Sequence, residues 1–197
     1  EGSVTAMAGG YSQVKQDLAV MVVHLGAGLA QCLGQLINVW RAGLPVVVVT
    51  FAGDTGSYGD NMSLDLNHSF GPTSISSPFT KASWTVIEPE GLPQAIERAF
   101  RVAKTPPTGP VHLAIYDRVL GYRHVTADVI QGDIPDISAG YPAGGDVEEL
   151  MDALRQAKRP LLYVGDCVRK GAVRTEAISV AENLGLLIAG NTWDVPV

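Results

Sequence analysis

The sequence predicts an α/β fold in which a parallel sheet is flanked by helices, and three stretches carry that expectation. Residues 18–25 form an apolar, β-rich run that ends in Gly26-Ala27-Gly28 and gives way to a helical pattern over 29–42. Residues 45–50 (PVVVVT) hold an unbroken Val run, as a strand covered on both faces does. From Leu92 onward Leu92, Ala95, Ile96, Ala99, Phe100 and Ala103 recur at helical spacing, and residues 110–115 (PVHLAI) follow as another buried strand.

Taken in order, the first strand, glycine turn and helix lead past the stop signal Gly43 into the second strand, and a right-handed crossover makes the two strands parallel. Residues 52–78 are rich in Gly, Ser, Asn, Asp and Pro. A stretch of that length without periodicity is uncommon in a compact domain unless it serves a function, so it is expected near a site. Pro93 suits the first turn of the next helix, and Pro106-Pro107-Thr108-Gly109 turns the chain into the strand at 110–115. Between 121 and 145 no apolar period is sustained, which reads as a linker. Alternation then resumes with a helix at 147–157, a strand at 160–164, a helix at 172–184 and a strand at 186–189. The expected organisation is one α/β domain over 1–120, a linker over 121–145 and the beginning of a second α/β domain over 146–197.

Composition narrows the function classes. Of 197 residues, 46% are hydrophobic and 17% charged, which suits a globular chain and not a disordered one. The net charge is -6, and the densest basic cluster is Arg155, Lys158 and Arg159, so nothing offers a polyanion its usual footprint. Cys32 and Cys167 are far apart within apolar patterns, which argues against a disulfide framework and for a reducing cytosol. The longest apolar run, 44–52, is too short to span a bilayer, and no signal peptide is evident. A first residue that is Glu rather than Met suggests a truncated chain.

Taken alone, Gly26-Ala27-Gly28 between a strand and a helix is half of a dinucleotide fingerprint, in which backbone N–H groups receive a pyrophosphate. Gln31 stands at the third glycine position, and Thr50-Phe51 ends the next strand where a ribose-binding acid is expected, with Asp54 beyond it. A dinucleotide-binding oxidoreductase domain is therefore the rival reading from another class, alongside a purely structural role.

A broader pattern runs through Glu1…Ala6-Met7-Ala8-Gly9-Gly10-Tyr11, His24-Leu25-Gly26-Ala27-Gly28…Gln31, Thr80-Lys81 and Pro106-Pro107-Thr108-Gly109-Pro110-Val111. In this order the motifs resemble the pyrimidine-binding domain of thiamine diphosphate-dependent enzymes of the acetolactate synthase and benzoylformate decarboxylase family. In that family a Glu starts a helix of small residues ending near Gly-Tyr, and a strand then leads into a glycine turn. Arg159-Pro160-Leu161-Leu162-Tyr163-Val164-Gly165 resembles the first strand and turn of the family's Rossmann-like central domain. The resemblance implies a pyrimidine-binding domain whose start is missing, followed by the first part of the central domain.

It also implies a chemistry. Thiamine diphosphate must lose the C2 proton of its thiazolium, and its aminopyrimidine serves as base when an acid hydrogen-bonds ring nitrogen N1′. Glu1 matches the position of that acid, and a desolvated pocket among Ala6, Met7 and Ala8 would suit a shared proton. His24, 23 positions later, matches a catalytic His of benzoylformate decarboxylase-like members, where acetolactate synthases typically carry Thr. Ala27 and Gln31 would lie along the aminopyrimidine, with Gln31 standing where the family usually has Asn. The implied activity is non-oxidative decarboxylation of a 2-oxo acid, with acetolactate synthase-type carboligation as the alternative. The implied assembly is at least a homodimer, a homodimer or homotetramer in the whole protein, with Mg2+ bound by a missing C-terminal domain and FAD left open for the central one. The chain as given is expected to be inactive.

The remaining candidates receive structural readings. Gly53-Asp54-Thr55-Gly56…Asp60-Asn61 superficially resembles the family's Mg2+ motif but is compressed into one loop and reads as a decoy, so no metal ligand is assigned. Lys81 reads as a structural ion-pair partner, and His68, His112 and His124 as structural histidines. Asp117 follows Tyr116 where the family usually has Pro, a departure that leaves the substrate unassigned.

Overall fold

A computed structural model of the chain describes residues 1–52, 70–121, 124–130, 132, 140–165, 167–168, 171 and 173–190. The chain divides into two compact units, Glu1–Ser138 and Ala139–Val197.

The first unit opens with helix α1 (Gly2–Lys15), strand β1 (Ala19–His24), helix α2 (Gly26–Arg41) and strand β2 (Val46–Ala52). Strand β3 (Ala82–Val86), helix α3 (Leu92–Lys104), strand β4 (Val111–Tyr116) and the short helix α4 (Asp117–Leu120) follow. The four strands form one parallel sheet in the order β1-β2-β4-β3.

Alternation along the strands decides which helix each face receives. Ala19, Met21 and Val23 of β1 and Val46 and Val48 of β2 join one core with Leu29, Cys32, Leu36 and Val39 of α2, and Ala8 of α1 packs into it. The opposite face of β2 and β4 meets α3, where Val47 and Val111 pack with Ala99 and Ala103. The Val run of β2 is thus buried from both sides, as its sequence predicts.

Three details differ from the sequence reading. Helix α1 does not end near Gly10-Tyr11 but continues to Lys15, where Gln16 in the left-handed conformation (φ 58°) closes it. Small residues make this continuation possible, because Gly9 comes so close to α2 that an added Cβ would lie 3.1 Å from Val39 Cγ2. Helix α2 starts at Gly26, so the glycine turn is its first turn rather than a loop before it. Strand β3 (ASWTV) has no apolar run to announce it and exists by pairing with β4 at the sheet edge.

The second unit holds helix α5 (Gly144–Gln156), strand β5 (Leu161–Val164), helix α6 (Arg174–Leu184) and strand β6 (Leu187–Gly190), with β5 and β6 paired in parallel. Helix α5 begins three residues before the predicted 147, inside the stretch read as linker. No helix among the described residues is long and apolar enough to cross a membrane.

Candidate functional site

Parallel α/β sheets present their ligand sites beyond the carboxyl ends of the strands, where helices begin and backbone N–H groups point outward. At that edge β1 ends in His24, in register with Phe51 of β2, and Leu25 passes the chain into α2. Glu1 arrives at the same place from α1, whose first turn packs against the first turns of α2.

The contact point is Gly28. A Cβ added there would lie 2.9 Å from His24 Cβ, 3.1 Å from Glu1 Oε1 and 3.3 Å from Glu1 Cγ. The two side chains therefore close over a residue that has none, and no larger residue fits without moving one of them. Ala27 is half-buried and Gln31 exposed on α2, and the Gln31 carbonyl lies against Gly2, 3.5 Å from where its Cβ would be. Glu1, His24, Ala27 and Gln31 thus occupy one neighbourhood around the first two turns of α2.

Glu1 departs from its expected surroundings. The sequence reading puts its carboxyl in a desolvated pocket, but both Glu1 and His24 are exposed. Glu1 occupies the N-cap position of α1 without a side-chain capping bond, so its carboxylate is free to project across to Gly28. The same placement weighs against the dinucleotide reading, because the turn that would receive a pyrophosphate already faces a carboxylate, and two anions there would repel.

Two residues at this site carry no signal in the sequence motifs. The Glu1 carbonyl accepts bonds from Thr5 Oγ1 (3.3 Å) and Cys32 Sγ (3.4 Å), and both donors are fully buried. Burial is the main influence that pushes the Cys32 thiol up, and the Glu1 charge adds to it. Their spacing could have drawn attention, since Thr5 stands four residues after Glu1 and Cys32 four after Gly28, which puts each on one helix face with its partner.

The structural readings fare differently. Among the described residues Lys81 meets no carboxylate: Nζ donates to the carbonyls of Val102 (2.8 Å) and Thr105 (2.5 Å) at the end of α3, and burial pushes its amine down. The helix end offers unsatisfied carbonyls where the sequence suggested a carboxylate. His112 is fully buried on β4, with Nε2 2.8 Å from Thr50 Oγ1 and Nδ1 2.7 Å from Ser76 Oγ. Ser76 Oγ spends its hydrogen on the Thr73 carbonyl (3.0 Å), so Nδ1–H donates to Ser76 and Nε2 accepts from Thr50. His124 is exposed, and Asp117 opens α4. His68 and the segment from Gly53 to Asn61, with Asp54 and Asp60, lie outside the described residues. Among the described residues no group of three or more His, Cys, Asp or Glu could hold a metal ion.

With this geometry in place, residues 1–72 match the family of thiamine pyrophosphate enzymes, over the N-terminal TPP binding domain. The benzoylformate decarboxylase of Pseudomonas aeruginosa is 28% identical over 190 residues, covering 93% of this chain and 34% of that protein. The acetolactate synthase large subunit of Corynebacterium glutamicum is 28% identical over 182 residues, covering 90% of this chain and 28% of that protein. Among solved structures, the benzoylformate decarboxylase from Polynucleobacter necessarius superposes with a TM-score of 0.82 at 23% identity, over 100% of this chain and 36% of that one. The chain spans about a third of the length of the curated relatives it matches.

Proposed function

We propose, for a chain that belongs to the thiamine pyrophosphate enzyme family, that the whole protein decarboxylates a 2-oxo acid non-oxidatively with thiamine diphosphate, Glu1 and His24 being its working side chains here. The observation that carries this reading is the meeting of the Glu1 carboxylate and the base of the His24 side chain at Gly28, at the carboxyl edge of a parallel sheet. A glycine cradle with an exposed acid at its rim fits the aminopyrimidine end of that cofactor. When bound, thiamine diphosphate supplies the electron sink for breaking the bond to the carboxylate.

The chain's own residues would do four things. The Glu1 carboxyl holds a hydrogen bond or a proton at N1′ of the aminopyrimidine. Gly28 lets the ring and the two side chains approach one another. Ala27 and Gln31 line the ring along α2, where the longer Gln31 reaches for a contact usually made by Asn. The His24 imidazole delivers a proton to the substrate's reacting carbonyl side, a role worth about two to four orders of magnitude in rate.

The second reading is carboligation of the acetolactate synthase type, which rests on a relative of that name at the same 28% identity. His24 favours decarboxylation, because it supplies the proton that replaces the departing carboxylate. In this reading the diphosphate and its Mg2+ fall to other parts of the whole protein and to a second subunit, in a cytosolic homodimer or homotetramer. Absorbance of the purified whole protein decides whether its central domain carries FAD.

In the whole protein, Glu1→Gln should abolish exchange of the thiazolium C2 proton, and wild-type exchange would refute the role given to Glu1. His24→Ala should slow decarboxylation of an aromatic 2-oxo acid by at least about tenfold. An unchanged rate would return His24 to a structural role, and product formed only when an acceptor aldehyde or second oxo acid is present would favour carboligation.

A further inference from the structure

We propose that Thr5 and Cys32 are positioning residues for Glu1, pinning its backbone carbonyl between α1 and α2 so that its carboxylate stays over Gly28. Three donors meet on that one oxygen: Thr5 N–H at 3.2 Å, Thr5 Oγ1 at 3.3 Å and Cys32 Sγ at 3.4 Å. Thr5 and Cys32 are fully buried, so no water competes for the carbonyl from their side.

The Glu1 side chain makes no capping bond to α1, so the place of Glu1 is set through its backbone. The bonds from Thr5 hold Glu1 to its own helix only. Cys32 supplies what Thr5 cannot, a bond to α2, the helix that also carries Gly28. Gly28 and Cys32 are four residues apart on one face of α2, about 6 Å along its axis, so seat and pin are a single rigid surface. A thiol suits the position because it packs with Leu29, Leu36 and Val39 in the apolar core while still donating. Burial, the largest influence on that thiol, favours its protonated form, hence a donor.

The catalytic consequence rests on the reading of Glu1 given above, but the positioning does not, and the test separates them. In the 197-residue chain, the nuclear Overhauser contact between the Glu1 side chain and Gly28 Hα reports the seating directly. Thr5→Val keeps the shape and removes the hydroxyl; Cys32→Ala removes the thiol. Each should weaken the contact at least about twofold while thermal unfolding stays cooperative, and Thr5→Ser and Cys32→Ser should restore it. In the whole protein the same Val and Ala variants should bind thiamine diphosphate roughly fivefold more weakly, the scale of one neutral hydrogen bond, with the Ser variants restored. A contact of wild-type strength in both Thr5→Val and Cys32→Ala would overturn the proposal. Weakened contact with undiminished thiamine diphosphate affinity would support the seating and overturn the cofactor role of Glu1 instead.

Discussion

Gly28 is the residue on which the site turns, and it makes the first prediction. The His24 Cβ that an added methyl would meet at 2.9 Å is fixed by β1, whereas Glu1 Oε1 at 3.1 Å belongs to a swinging side chain. Gly28→Ala therefore strains strand against helix and also pushes Glu1 aside. We expect a loss of roughly 1 to 3 kcal/mol, typical of overpacking, read from the denaturant midpoint, together with weaker thiamine diphosphate binding in the whole protein. Unchanged values for both would mean that the helix shifts freely. His112 makes the second. Burial pushes its imidazole from 6.5 down to about 4. A folded pKa below the unfolded one means that the neutral form is favoured by folding. Its contribution is full above about pH 6.5 and is lost as pH falls toward 4, up to about 3 kcal/mol. In His112→Gln the part of the acid destabilisation between pH 6.5 and 4 should shrink, and an identical pH profile would show that other groups account for it. Motif order and spacing singled out Glu1 and His24 in the sequence, and the fold brings both against Gly28. Thr5 and Cys32 were not legible, since a threonine inside a helix and a cysteine in an apolar pattern look the same whether or not a carbonyl from another helix comes to rest between them.

At the scale of elements, legibility followed periodicity. The α3 stripe and the Val run of β2 were readable because burial on a defined face leaves a repeat in the sequence. β3 left none: its residues are mostly half-buried at an edge, and its partner β4 lies beyond a whole helix in the chain. The end of α3 was legible in position but not in its means. Thr105 Oγ1 bonds the Arg101 carbonyl at 2.7 Å, and Lys81, from the residue just before β3, caps Val102 and Thr105. A cation at a helix carboxyl end meets both unsatisfied carbonyls and the favourable end of the helix dipole. Lys81→Met keeps the aliphatic stem and deletes those bonds. The expected cost is about 1 to 2 kcal/mol in a denaturant titration, with faster amide exchange confined to the last turn of α3. Lys81→Arg should recover part of it; if Lys81→Met costs nothing, water serves those carbonyls equally well.

For the whole molecule, the sheet's uneven cover has a physical consequence. Strand β1 (AVMVVH) is apolar on both of its faces, as a strand buried from both sides would be. Only Ala19, Met21 and Val23 are covered, however, while Val20 and Val22 remain 50% and 57% exposed. Which face is covered depends on what packs from elsewhere in the chain, and no local pattern encodes that. Among the described residues β1 also ends the sheet. Ala19 N–H bonds the Pro45 carbonyl at 3.0 Å toward β2, and residues of a parallel ladder alternate, so Val20, Val22 and His24 turn their N–H and C=O groups to the open edge. An edge that combines unpaired backbone with exposed Val is a template for another strand. The isolated chain should therefore self-associate in a concentration-dependent way, measurable by sedimentation velocity. Val22→Lys places a charge where a pairing strand would have to bury it and should shift the distribution toward monomer. Because Val22 is already exposed, unfolding free energy should stay within about 0.5 kcal/mol of the parent. If Val22→Lys and the parent sediment alike over the same concentration range, association runs through another surface and the edge is adequately guarded by its own twist.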